Sequence, residues 1–233
     1  MHTPYMSRPV SLDDVRQIAY CSSLDDEEAR RFAGELVLRG YTARQVIVAE
    51  GARAPGFYVL RSGKARIFRT GPDGREQTMR LVAAGDTFGE VPVFDSGPAP
   101  ATVEALEPSE VLLVPSSAFA GLVERRPKVG LALLHHFAVR LRSFTELVEQ
   151  ISLQTVQCRL ARYLYQLARE EGLRTAEGIV VPRELTQQDL ASLVGSVREV
   201  VSRTLKVMED DGLVEVRRKD ILIRDLVALQ KLV

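Results

Sequence analysis

An α+β fold built in successive parts is expected from three changes of texture along the 233 residues. Between residues 41 and 115, short runs of β-branched and aromatic residues alternate with Gly, Pro and Asp clusters, which is the pattern of many short strands. From 116 to about 156 the apolar residues recur at three and four, the helical period. Beyond 157, amphipathic helical stretches are followed by one short alternating hairpin.

Residues 11 to 40 read as helical, with Ser23 and Asp25 as start signals and Gly40 as a stop. Strands are expected at Gln45 to Val48, Phe57 to Leu60, Ala65 to Phe68, Thr78 to Val82, Thr102 to Ala105 and Val111 to Val114. Between them Glu50-Gly51, Ser62-Gly63, Gly71-Pro72-Asp73-Gly74 and Gly85-Asp86 supply the turn chemistry of tight hairpins, so this region closes as a β-roll or barrel. Ser116 to Glu124 forms a short helix, and Pro127 suits the first position of a long one reaching about Val156.

That helix carries two apolar stripes. Leu131, Leu134, Ala138, Leu141 and Val148 make one, interrupted at Thr145; Leu133, Phe137, Phe144, Leu147 and Ile151 make the other. One can cover the roll and the other needs a partner, most economically the same helix of a second copy. Leu134, Phe137, Ala138, Leu141, Phe144 and Val148 are the candidate dimerisation residues. A helix from 157 to Gly172 and a strand near Gly178 to Val181 follow.

From Thr186 to Met208 two short helices meet at Gly195. Thr186 has Asp189 three residues on, and Ser196 has Glu199, so each reads as an N-cap. In the second helix Val197, Val200, Val201, Leu205 and Met208 form the buried stripe, which leaves Arg198, Glu199, Ser202, Arg203 and Lys206 on the opposite face. Arg can bond guanine O6 and N7, and Glu can accept from cytosine N4, so this face suits a major groove of double-stranded DNA. After Gly212, Leu213 to Val216 and Ile221 to Ile223 flank Arg217, Arg218, Lys219 and Asp220, a hairpin with a basic tip placed for phosphate contacts. The parts make a winged helix-turn-helix. Thr186, Gln187, Ser196, Lys206, Arg218 and Lys219 complete the candidate DNA-contacting set.

Composition narrows the remaining classes. The net charge is zero, so local sorting of charge must provide any attraction to DNA. Cys21 and Cys158 are too few for a disulfide framework or a four-cysteine cluster. No apolar run approaches a membrane span and the first ten residues lack a signal-peptide core, so a cytoplasmic protein away from membranes is expected. The strand region from 41 to 115 has no histidine, and neither a Gly-x-Ser-x-Gly elbow nor a phosphate loop ending in Lys-Ser or Lys-Thr is present, so an enzyme is not expected. No kinase or channel domain follows the roll, which argues against a regulatory module attached to one.

In this order the parts resemble the cyclic-AMP receptor protein and fumarate-nitrate regulator (Crp/Fnr) superfamily of bacterial transcription factors. The resemblance rests on Glu50-Gly51, Phe57-Tyr58-Val59-Leu60, Ser62-Gly63, Gly85-Asp86 and Phe88-Gly89-Glu90, and on Ser196 to Arg203. It implies three parts: a cyclic-nucleotide-binding-like β-roll sensor over 1–126, a dimerisation helix with hinge over 127–156, and a DNA-binding domain over 157–233. It also implies base contacts from Arg198, Glu199 and Arg203 on a half-site like TGTGA or TTGA. Ser202 departs from the cyclic-AMP receptor type and matches the fumarate-nitrate type, and Arg198 and Ser202 together leave the half-site open. A homodimer would place two readers in successive grooves about 34 Å apart on a palindromic operator, with RNA polymerase a partner if the protein activates.

The same resemblance points to an effector pocket at Phe88, Gly89, Glu90, Pro100, Ala101, Phe144 and Thr145. Where cyclic-nucleotide-binding members carry a phosphate-clamping Arg and a small or hydroxyl residue, this chain has Pro100 and Ala101. Pro92 and Pro100 offer no N–H, and Glu90 and Asp95 would repel a phosphate. Cyclic AMP is therefore not the expected effector. Haem sensing nitric oxide or carbon monoxide, with His135, His136 or His2 as ligand, is one alternative. Others are an apolar metabolite near Phe88, Phe94 and Phe144, a cyclic nucleotide still bound despite these changes, or no effector at all. Adjacent helical positions point about 100° apart, so His135 and His136 cannot share a pocket.

Overall fold

The structure, a computed structural model, describes residues 9–233. His2 lies outside them. The chain forms two compact units: residues 1–69 with 79–144, and residues 70–78 with 145–233.

The first unit opens with α1 (Leu12–Arg16) and α2 (Asp26–Ala33), followed by β1 (Val37–Tyr41), β2 (Val46–Val48), β3 (Gly56–Ser62), β4 (Ala65–Thr70), β5 (Glu76–Val82) and β6 (Thr87–Phe88). Then come α3 (Val91–Asp95), β7 (Thr102–Ala105), β8 (Ser109–Pro115), α4 (Ser116–Arg125) and α5 (Pro127–Leu153), the last shared with the second unit. Two four-stranded antiparallel sheets, ordered β1-β8-β3-β6 and β2-β7-β4-β5, make the roll.

Strand β3 explains why the sheets stay together. Tyr58 and Leu60 join Val48, Ala65, Val82, Phe88 and Val103 between the sheets. On the opposite face, Phe57 and Val59 meet Val15, Phe32, Phe119, Leu122, Val129 and Leu133 from the helices, with Ile18 from the turn after α1. Alternate residues thus enter two cores, and the strand reads as one continuous apolar run because neither face is wet. Gly56 begins it where β8 passes so close that an added Cβ would lie 1.9 Å from the Val114 carbonyl oxygen.

The expectation of helix throughout residues 11 to 40 is corrected. Ser11, not Ser23, caps α1 in a reciprocal box with Asp14, while Asp25 does cap α2 by accepting from the Glu28 N–H. Gly40 stops no helix. It sits inside β1, opposite Glu110, because β8 has a free edge whose ladder β1 completes. The short β6 and α3 carry no period long enough to announce them, whereas the six expected strands all form.

In the second unit α6 (Val156–Glu170), β9 (Leu173–Thr175), β10 (Gly178–Pro182), α7 (Gln187–Leu193), α8 (Arg198–Asp210), β11 (Val214–Val216), β12 (Asp220–Ile223) and α9 (Leu226–Gln230) follow. Its sheet runs β11-β12-β10-β9. Leu160 and Leu164 of α6, Leu190 of α7, Val201, Leu205 and Met208 of α8, and Leu222 of β12 are all at most 3% exposed, and form its core. Helix α5 ends at Leu153, slightly before the expected Val156, because Thr155 takes up extended angles and caps α6 by accepting from the Cys158 N–H at 3.2 Å.

Arg159 of α6 sits at that break. Its Nε donates to the Val194 carbonyl at 2.6 Å and its Nη1 to the carbonyls of Gln154 at 2.6 Å and Gln150 at 3.1 Å. One guanidinium thereby ties the ends of α5 and α7, satisfying the Gln154 and Val194 carbonyls and adding a second donor to that of Gln150.

Candidate nucleic-acid interface

The first helix of the reader begins as the sequence predicts. Thr186 Oγ1 accepts from the Asp189 N–H at 3.1 Å and donates to the Asp189 carboxylate at 2.6 Å, and that carboxylate also accepts from the Thr186 N–H. Asp189 is 4% exposed, so this box lies within the fold. Thr186 is thus committed to capping.

Ser196 is not a cap, contrary to expectation. The N-cap of α8 is Val197, in extended conformation with no side-chain cap bond. The cause lies at the end of α7: Gly195 adopts φ +63°, and the Ser196 N–H closes back onto the Ala191 carbonyl at 2.9 Å. This is a Schellman closure, open to glycine at no steric cost, and it uses Ser196 to end one helix rather than start the next.

Helix α8 buries Val201, Leu205 and Met208 and exposes Arg198, Glu199, Ser202, Arg203 and Lys206 as the sequence assigns its faces, while Val200 is half-buried and Val197, expected on the buried stripe, is the half-buried N-cap. No ion pair joins Glu199 to Arg203 among the described residues. Lys206 by contrast lies 3.1 Å from Asp210, which raises its pKa, and 3.9 Å from Glu209. Gln187 accepts a long bond of 3.5 Å from Arg198 Nε. The wing forms from β11 and β12, with Arg218 and Lys219 exposed at its tip; Arg217 is held by Glu215 at 2.8 Å and Glu177 at 2.9 Å. A hollow of about 480 Å³ between the wing and α7 is lined by Arg183, Arg198 and Arg218 among others. Arg183 was not singled out in the sequence, where it reads as a loop residue after a proline.

The residues assigned to a pocket by resemblance differ in their surroundings within the chain. Phe88 is 1% exposed and stacks on Tyr58 with ring centroids 5.4 Å apart, filling the roll. Phe94 instead packs edge-on to Phe119 and Phe137, and Phe144 is 44% exposed on α5. Pro100 and Thr145 are exposed and Ala101 half-buried.

Glu90, 3% exposed, is not the unopposed negative charge the sequence suggested. Arg140 of α5 donates to its Oε1 at 2.5 Å and to the Thr87 hydroxyl at 2.9 Å. Arg80 of β5 reaches the Thr87 carbonyl at 2.6 Å. Sequence reading missed both arginines, since a single Arg on a strand or a helix face gives no signal by itself. His136 completes this cluster, with Nε2 3.5 Å from the Thr87 hydroxyl and its ring against Tyr20. Burial holds its pKa below the ordinary value, reinforced by Arg140. His135 faces solvent, so the two histidines do part company as helical geometry requires. Among the described residues no group of three or more His, Cys, Asp or Glu could hold a metal ion, and no helix is long and apolar enough to cross a membrane.

A roll joined through a long helix to a winged helix-turn-helix defines a transcription regulator of the DNA-binding class. Residues 38–126 match the cyclic nucleotide-binding domain family and residues 158–232 the Crp-like helix-turn-helix domain. A CRP-like cAMP-activated global transcriptional regulator of Mycobacterium tuberculosis is 32% identical over 187 residues, spanning 80% of this chain and 82% of that one. The cyclic AMP receptor protein of Thermus thermophilus is 29% identical over 83% of this chain and 87% of its own. The c-di-GMP responsive global regulator CLP of Xanthomonas campestris shares the fold, with a TM-score of 0.77 at 24% identity over 86% of this chain and all of its own. The chain belongs to the Crp/Fnr family of transcription regulators.

Proposed function

We propose that the protein is a homodimeric regulator that reads a palindromic operator in double-stranded DNA, with a roll that does not answer to cyclic AMP. The observation that carries the DNA reading is the exposed face of α8. Glu199, Ser202 and Arg203 stand free of ion pairs among the described residues, on a helix whose opposite side is anchored by Val201, Leu205 and Met208. Such side chains keep their donors and acceptors for base edges. The stripe on α5 supports the dimer: Leu131, Leu134, Leu141 and Val148 are 63–68% exposed, while Leu133 is buried and Phe137 packs toward the helical core. Apolar area of this kind on a soluble chain marks an association surface, and a second α5 would cover it.

Replacing the phosphate-clamping Arg by Pro100 removes a charge and an N–H from the roll, which supports the reading that cyclic AMP is not the effector. Haem fits poorly as well: His136 is packed among Tyr20, Thr87 and Arg140, and His135 is exposed. A cytoplasmic location and, for an activator, contact with RNA polymerase accompany this function.

Arg203→Ala tests the reader. It should remove the preference for a selected operator over scrambled DNA, whereas Lys219→Ala should weaken both and flatten the salt dependence. An Arg203→Ala protein with the parental preference would sink the assignment. Adding cyclic AMP should leave operator affinity unchanged, and reconstitution with haem should give no Soret band.

A further inference from the structure

The turn of the reader is touched by a stretch that lies far from it in the chain. Residues 70–78, the end of β4 and the start of β5 with the loop between them, belong to the second unit together with 145–233. Thr78 Oγ1 and Ser192 Oγ of α7 lie 2.8 Å apart, with Thr78 2% and Ser192 1% exposed. Ser192 Oγ also donates to the Asp189 carbonyl at 3.0 Å, and a carbonyl can only accept. The serine proton is thereby used, so Thr78 donates to Ser192. Beside it, Gln77 Nε2 donates to the Thr78 carbonyl at 2.9 Å, and its Oε1 stands 2.6 Å from where a Cβ at Gly195 would lie. Ile151 Cγ1 is 3.7 Å from the same point. Ser192 is buried, whereas Glu199, Ser202 and Arg203 are exposed, so these contacts leave the reading face open.

We propose that Thr78 is a positioning residue of the DNA reader, and that residues 70–78 form a strap which stays on the helix-turn-helix while it reads. A hydroxyl pair this deeply buried is costly to leave unmade, because neither partner can turn to water. The run of bonds from Thr78 through Ser192 ends on the carbonyl of Asp189, whose carboxylate forms the capping box with Thr186, so it holds α7 at its first turn. Gln77 bears on the Gly195 turn that sets the angle between α7 and α8. The reader is thus assembled from two stretches of chain, and the match over 158–232 does not contain the first of them. This inference rests on the DNA reading above.

The experiment uses the full chain and a duplex enriched by it from a random pool. Thr78→Val keeps the shape of the side chain and deletes the donor. In that variant the amides of 187–196 should exchange about tenfold faster. Its affinity for the duplex should fall by about threefold or more, as fewer molecules hold the reader in place. Thr78→Ser, which keeps the donor, should restore both. Unchanged exchange or unchanged affinity in Thr78→Val would overturn the inference. A second variant carries Thr78→Cys and Ser192→Cys, with Cys158→Ser removing the half-exposed native thiol. Sulfurs set where these oxygens now stand need move little to reach the disulfide length of about 2 Å, so mild oxidation should join them. The oxidised protein should bind the duplex within about twofold of its reduced form, because strap and DNA are held together without competition. Loss of binding on oxidation that reduction reverses would show that the reader must leave the strap, and would overturn the inference, as would a pair that stays reduced. Failure to enrich any duplex would overturn the DNA reading and with it this role of Thr78, whereas an enriched duplex with either contrary result overturns this inference alone.

Discussion

Replacing Arg159 by Met keeps the length of the side chain and deletes its donors. Two of its bonds are short, to Val194 and Gln154 at 2.6 Å, and those to Gln150 and Ile151 are 3.1 and 3.3 Å. Charge-assisted bonds contribute about 1.5–3 kcal/mol each where an acceptor would otherwise be stranded. Arg159 is only half-buried, and water can reach some of these carbonyls in the variant, so the two short bonds at the low end set the expected loss, about 3 kcal/mol. With an m-value near 2 kcal/mol/M, the urea midpoint of the second unit should fall by about 1.5 M. Hydrogen exchange would locate the effect. Amides at 150–158 and 190–196 should lose protection, because the variant frays the ends of α5 and α7 that one guanidinium now ties. Arg159→Lys should recover only part of the loss, since an ammonium cannot reach both helix ends. An unchanged midpoint together with unchanged exchange in both segments would refute the account of Arg159 as the tie between these helices.

Gly56→Ala should prevent the roll from forming stably, visible as loss of the cooperative transition of the first unit, because the new methyl would lie 1.9 Å from the Val114 oxygen. Leu141→Glu should give a monomer by sedimentation and leave the fold of each unit intact, since Leu141 is 68% exposed in the single chain. For His136 the sign follows from its environment. Burial and the neighbouring Arg140 and Arg80 hold the pKa below 6.5, although Glu90 and Asp86 oppose them. The neutral ring is the form the fold prefers, so its stability contribution is present above pH 6.5 and is lost as pH falls below that value. Between pH 7.5 and pH 5, wild type should therefore lose more thermal stability than His136→Gln; parallel losses would contradict the burial argument.

What could be read from the chain was whatever repeats or is punctuated. The six strands from Gln45 to Val114 show turn residues at both ends, and the stripes of α5 and α8 extend over several turns, so the periods emerge without knowledge of the fold. Strand β1 was hidden because its ladder partner, β8, lies more than sixty residues away in sequence, and only tertiary pairing makes a strand of Val37 to Tyr41. The cap of α8 was misplaced because Ser196 and Glu199 have capping-box spacing, yet the backbone of Ser196 is already used by the Schellman closure at Gly195. At the site, the exposed side of α8 was legible from periodicity. The Arg140–Glu90–Thr87 cluster was not, since it joins a helix to a turn fifty residues upstream and each member alone is an ordinary polar residue.

The way α8 is held has a consequence for how such a reader can change. Its start follows a backbone closure at Gly195, its end is closed by the Gly212 and Leu213 N–H groups on Glu209 and Met208, and its seat is three apolar side chains. Glu199, Ser202 and Arg203 supply none of these supports. Substitutions there should cost almost nothing in folding, because surface changes away from caps and cores usually fall within about 0.5 kcal/mol. The fold thus separates the residues that keep the helix in place from those proposed to choose the operator, and on that proposal a lineage can retarget the second set while leaving the first untouched.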